Sequence, residues 1–346
     1  MLNLRSQTTF CWCLLFVSML VGFPAGIVGQ DGPWQQMDYG PFLSAAIEVT
    51  PDNIACKGIA IPLDETGKHA MLFDSAELRW AAAWEGDFVE LRGIVYDGPH
   101  GIWPRIDGDP VWTNPAGPGF AIGAKGSFAD PRPIPFGPLP SEVGRWKGLQ
   151  RDRDGVLLHY TVGKTRVFER AAFTRGEDVD AWKRSIQLIG VDQFLRISLF
   201  EVENGMFLSP SFSGPNSEFI MLQRGKPTMA IDVRGGGPRT RVTTYEGRIV
   251  VEVKPEDQEQ PPIHIHIARF DDDKLKAFRA IVNRVYFRDP SPLLSVWNRG
   301  AAALWPEKLS LKGQRRAVFG GDESYEVISR SAGDEEDGWS VSGEEE

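Results

Sequence analysis

Apolar side chains recur at every second position across many short stretches of this chain. Phe88-Val89-Glu90-Leu91-Arg92 alternates apolar with charged residues, the period of a strand with one buried face. The pattern predicts strands over 53–63, 69–74, 78–84 and 88–96. It resumes over 156–162, 165–173, 182–189, 194–202, 229–233, 240–245, 248–253 and 263–270. Gly163-Lys164 and Glu246-Gly247 stand between adjacent runs as hairpin turns, since glycine and short polar residues supply the positive φ that such turns need. Many short strands at this spacing predict antiparallel pairing rather than βαβ units. The helical period is clear once, in Leu275, Phe278, Ile281, Val282 and Val285, a stripe expected to pack on a sheet. Asp271-Asp272-Asp273 caps its start, Arg284 and Arg288 suit its end, and Asp289-Pro290 stops it. The expected fold is mainly β: an antiparallel β-sandwich over 30–290 with one α-helix on its C-terminal side.

The alternation breaks between Tyr96 and Lys147, where ten of the 25 prolines lie between Pro99 and Pro140. Proline fixes φ and removes a donor, while glycine admits angles that other residues avoid. The stretch therefore reads as a long, stiff, irregular crossing between strands. Long ordered loops in compact domains tend to be functional.

The two ends read differently from the body. Residues 1–29 carry one positive charge at Arg5, an apolar run from Phe10 to Val21 and small residues at Pro24-Ala25-Gly26. That is the three-part pattern of a cleaved secretory signal, with a retained anchor as the alternative because Phe10 to Val28 nearly spans a membrane. An exported chain is expected, periplasmic or extracellular, with no membrane span after the signal. Residues 291–321 read as an extended connector. Residues 322–346 hold ten acids and one base, a composition that predicts a disordered tail. That tail accounts for the whole net charge of −9, leaving 37 acids and 37 bases in the body. A neutral body with no basic stripe excludes nucleic-acid binding, which rests on phosphate neutralisation. After the signal only Cys56 remains, so no internal disulfide forms there, and the absence of Cys-x-x-Cys-His excludes c-type haem attachment. No cofactor is expected.

The candidate chemistry gathers in the crossing, where Asp97, His100, Trp103, Arg105, Asp107, Asp109, Trp112 and Asn114 fall within 18 residues. A tryptophan face stacks on the apolar side of a sugar ring while carboxylate, amide and guanidinium groups take its hydroxyls. Asp97, His100, Trp103, Arg105, Asp107, Trp112 and Asn114 are therefore the expected ligand-binding set. The bland reading is that the tryptophans cap an open end of the sandwich and the Asp and Asn side chains bond loop amides. Asp97 with Asp107 or Asp109 could instead form a glycosidase carboxylate pair. His264 and His266 share one face of a strand and are weak metal candidates, since His69, His100 or His159 would have to complete the shell. The bland reading places them on the polar side of a strand whose Ile263, Ile265 and Ile267 face the core. Gly235-Gly236-Gly237-Pro238 leads to no helix and reads as a turn, not a phosphate cradle.

Several phrases, among them Met37-Asp38-Tyr39-Gly40-Pro41-Phe42, Gly93-Ile94-Val95-Tyr96-Asp97-Gly98-Pro99-His100-Gly101-Ile102-Trp103-Pro104 and Gly126-Ser127-Phe128-Ala129-Asp130-Pro131-Arg132, carry a resemblance. Over roughly 37–313 the chain resembles an uncharacterised secreted bacterial module, a domain of unknown function. That module often precedes a sorbosone-dehydrogenase-like β-propeller and a cytochrome c domain. The resemblance implies an exported accessory module with no activity to carry over. Acidic sequence stands here where a propeller would begin, so a stand-alone paralogue or a shortened product is expected. The favoured function is a non-catalytic binding module, with carbohydrate as the ligand and the 96–114 crossing as its surface. The alternatives are a carbohydrate-active enzyme using Asp97, His100, Asp107 or Asp109, and a scaffold for other exported proteins.

Overall fold

The computed structural model describes residues 39–134, 137–152, 154–202, 212–214, 217–223, 228–237, 240–255, 261–270, 274–286 and 292–299, with three strands in 315–344. The expected signal and the expected Asp271-Asp272-Asp273 cap lie outside the described residues. In chain order the strands begin with β1 (Leu43–Thr50), β2 (Asn53–Pro62), β3 (His69–Asp74), β4 (Arg79–Glu90), β5 (Arg105–Thr113) and β6 (Phe120–Ile122). Next come β7 (Gly144–Asp152), β8 (Gly155–Val162), β9 (Thr165–Thr174), β10 (Ala181–Ile189), β11 (Leu195–Glu201), β12 (Phe212–Gly214) and β13 (Ser217–Gln223). β14 (Thr228–Gly235), β15 (Thr240–Tyr245), β16 (Arg248–Val253) and β17 (Ile263–Phe270) precede helices α1 (Leu275–Tyr286) and α2 (Leu293–Arg299). β18 (Arg315–Val318), β19 (Ser324–Ile328) and β20 (Ser340–Glu344) pair in a small sheet of their own.

The chain is mainly β with antiparallel sheets, but it is not a simple sandwich. β1 to β5 close into a barrel, whereas an eight-stranded sheet (β12-β13-β14-β17-β10-β9-β8-β7) and a four-stranded sheet (β15-β16-β11-β6) carry the layered part. Alternation reveals which face of a strand is buried, not which strand it pairs with, so the barrel was invisible to it. Bulges explain the closure: register shifts interrupt the pairings of β1 and β4 in five places, and bulges bend and twist a sheet. The barrel wall is thinned by Ala55, Ala60, Ala70, Ala81 and Ala82, which leave room for Trp84 and Leu72 inside. Closure itself is slight, a single parallel pairing of Glu48 on β1 with Arg105 on β5.

The main core joins both sheets to the outer side of the barrel. Ile186, Ile265 and Val167 of the eight-stranded sheet share it with Ile197, Leu199 and Val251 of the smaller sheet and with Phe73, Trp80 and Trp112 of the barrel. Each such fully buried aliphatic or aromatic side chain contributes about 1.5–3 kcal/mol in transfer terms. Both expected hairpins form, with Val162 opposite Thr165 and Tyr245 opposite Arg248. The expected helix is α1; Phe278, Ile281 and Val282 pack against Ala230, Ala268 and Phe270 of the sheet, and the side chain of Val285 lies outside the described residues.

Three expectations are corrected. The stretch expected as one crossing contains β5, β6 and the start of β7. Its proline content hid β5, although Pro110 sits beside a register shift, where no ladder donor is missed. The run over 88–96 is strand only to Glu90, because Gly93 to Gly98 turns back on itself. A second helix, α2, stands inside the stretch read as connector, with Leu293 and Val296 buried against Leu157 and Phe168. Among the described residues no helix is long and apolar enough to cross a membrane.

Candidate functional site

The loop between β4 and β5 is tied at its base. Gly93 has φ of +97°, and a Cβ there would meet the Ile102 carbonyl oxygen at 2.6 Å, so only glycine lets the two limbs approach. The Gly93 carbonyl accepts the amides of Tyr96, Asp97 and Gly98, while the Asp97 carboxylate accepts the Gly93 amide at 2.6 Å. Arg92 donates through Nε to the Trp103 carbonyl at 2.7 Å and through Nη2 to Glu48 at 3.0 Å. This fastening leaves the far side of the loop bare. Ile94 is 63% exposed, Val95 81% and Trp103 43%. They are three of the four exposed large hydrophobics among the described residues.

The seven expected binding residues do not form one set. Asp97, His100, Trp103, Arg105 and Asp107 lie at the surface, and Arg105 is paired with Glu90. Asp107 shares with Arg105 the face of β5 opposite the buried Ile106. Burial, with Asp87 and Glu90 adding repulsion, raises the Asp107 carboxyl above its ordinary pKa. Trp112 and Asn114 are the correction. Trp112 is 4% exposed and stacks on Phe200 in the main core, and Asn114 is 1% exposed. β5 runs from the surface into the joint between barrel and sheets, so its two ends meet different surroundings.

At that joint Asn114 is a hub. Its side-chain amide donates to the carbonyls of Trp80 and Leu199, each at 3.0 Å, and accepts Ser198 Oγ at 2.8 Å. Its own carbonyl accepts Asn53 Nδ2 at 2.8 Å and Arg79 Nη1 at 2.9 Å. Arg79, 1% exposed, donates further to Glu77 and Asn53. Glu77 in turn accepts Arg132, which also clasps Asp130. Asp74 belongs to the same network; its Oδ1 accepts the amide of Ala76 at 2.9 Å, and Oδ2 stands 3.9 Å from Arg79 without a hydrogen bond. Burial above all raises the Asp74 carboxyl, with Arg79 opposing. Its charges and amides bond one another, a pattern that braces loops and leaves little free for a substrate.

A family described as Domain of unknown function (DUF6797) matches residues 71–169. The match runs from inside β3 to inside β9, so the chain is similar to DUF6797 over well under half its length. It takes in the whole surface loop and, apart from Asn53 and the β11 partners Ser198 and Leu199, the Asn114 network. No curated protein matches the chain.

Both metal candidates fall outside the DUF6797 stretch. Ile263, Ile265 and Ile267 join the main core, while His264 and His266 point to the other face of β17. His264 lies 3.0 Å from Ser185 Oγ. His266 is fully buried, with no well-formed hydrogen bond to either ring nitrogen. Burial first, then Lys183 and His264, holds its pKa well below the usual imidazole value. Among the described residues no group of three or more His, Cys, Asp or Glu side chains could hold a metal ion. The sequence reasoning missed Glu77, Arg79 and Arg132. The packed signal was present in Asp74-Ser75-Ala76-Glu77-Leu78-Arg79, where four polar residues interrupt an apolar run.

Proposed function

We propose that this chain is an exported, non-catalytic binding module whose contact surface is the 93–107 loop and strand end. The observation that carries the reading is the apolar group Ile94, Val95 and Trp103, exposed on a loop whose base is tied by hydrogen bonds. An ordered apolar projection on a water-facing surface marks an interaction site. Carbohydrate is the ligand we favour. Trp103 supplies a stacking face, and His100, Asp107 and Arg105, exposed within four residues of it along the chain, can take hydroxyl groups. The module is read as bacterial, an accessory to larger exported enzymes. The rival reading of a carboxylate-pair enzyme loses support because Asp97 spends an oxygen on the Gly93 amide. A second binding reading, docking of another exported protein, is favoured by Ile94 and Val95, aliphatic groups that sugars seldom need. A glycan array followed by calorimetric titration tests the choice. Binding that weakens about tenfold in Trp103→Ala supports carbohydrate, and no binding to any glycan removes it.

A further inference from the structure

Far along the chain from the surface loop, α1 and the turn between β9 and β10 flank an open groove of about 540 Å³. This lies within the range of about 300–1,000 Å³ common for small-molecule sites. Lys276, Ala280 and Arg284 follow one another at successive turns of α1, with Ala277 and Ile281 a step nearer the sheet. The facing wall is Gly176, Glu177 and Asp178. Gly176 must be glycine here: a Cβ would meet the Val179 carbonyl oxygen at 2.2 Å and Ile281 Cδ1 at 2.3 Å. Its amide donates to Asp180 at 3.1 Å, which fixes the wall. Lys274 reaches Asp178 at 3.2 Å and closes one end.

We propose that this groove binds a small carboxylate with an apolar body. The small residues Ala277 and Ala280 leave the space, Gly176 lets the facing wall pack against Ile281, and Ile281 makes an apolar floor. Asp178 is already matched by Lys274. That leaves two cations, Lys276 and Arg284, against one carboxylate, Glu177; none of the three has an ion pair among the described residues. Arginine can grip a carboxylate by two parallel hydrogen bonds, and lysine adds a point charge. The groove's volume suits a compact ligand rather than an extended acidic chain.

Calorimetric titration of the full chain with naphthoate tests this, with naphthyl methanol as the uncharged analogue and a poly-glutamate peptide as the extended one. Naphthoate should bind, the alcohol about tenfold more weakly, and K276A/R284A should lose about tenfold in affinity for naphthoate alone. Ala280→Trp, which fills the groove from an exposed helix position, should abolish binding while the circular dichroism spectrum is kept. Equal binding of acid and alcohol, unchanged binding in K276A/R284A, preference for the peptide, or no naphthoate binding at millimolar concentration would each overturn the proposal. Trp103→Ala should leave naphthoate binding untouched, so failure here and failure of the surface-loop reading are separable.

Discussion

The two ends of β5 share a composition and nothing else. At the outer end Trp103 is exposed, its carbonyl held by Arg92. At the inner end Trp112 stacks on Phe200, and Asn114 bonds six partners drawn from β2, β4 and β11. Eleven residues separate the first from the last, and the same mixture of indole, amide and charge serves display at one end and bracing at the other. What separates them is the depth of the strand in the joint, which depends on partners far along the chain.

Substitutions can break that contrast in order of expected size. Trp112→Ala should cost about 3–5 kcal/mol of stability in denaturant unfolding, because it opens a cavity in the main core. Asn114→Ala should cost about 2–3 kcal/mol, since it strands the buried carbonyls of Trp80 and Leu199 and the hydroxyl of Ser198. Asp74→Asn sharpens the comparison through pH. The folded state raises the Asp74 pKa, so it binds a proton more readily than the unfolded state, and the ionised carboxylate weakens the fold at neutral pH. Asp74→Asn should therefore be neutral or stabilising at pH 7, with the advantage fading as pH drops through the folded pKa towards the ordinary 3.8 and below. Thermal melts at several pH values check this; a clear loss of stability at pH 7 would contradict it. Trp103→Ala should change stability by no more than about 0.5 kcal/mol, its effect appearing in binding alone. A large loss would mean that the outer end also braces the fold.

Much of the layered part was legible from alternation. Strands such as Thr165–Thr174 and Ile263–Phe270 announce themselves by faces that differ in polarity. The helix α1 was legible by its stripe. The barrel was not, because its closure depends on bulges and on alanines that carry no periodic signal. β5 was hidden for another reason: Pro110 and the carboxylates Asp107 and Asp109 are strand-averse residues, tolerated where the ladder is broken. The candidate site was half legible. Density of aromatic and polar residues picked out Trp103, which lies at the surface, yet the same cue selected Trp112 and Asn114, whose burial follows from Phe200, Ser198 and Leu199, more than eighty residues downstream.

The barrel's closing seam rests on one pairing, Glu48 with Arg105, supported by the Glu48 amide donating to Pro104 at 2.7 Å. Trp103 is the next residue, and the same Arg92 that holds its carbonyl also holds the Glu48 carboxylate. Any load applied to the indole thus reaches the barrel's thinnest weld within two peptide units. Deuterium uptake at the Glu48 amide would register a gripped Trp103 without the partner ever touching β1.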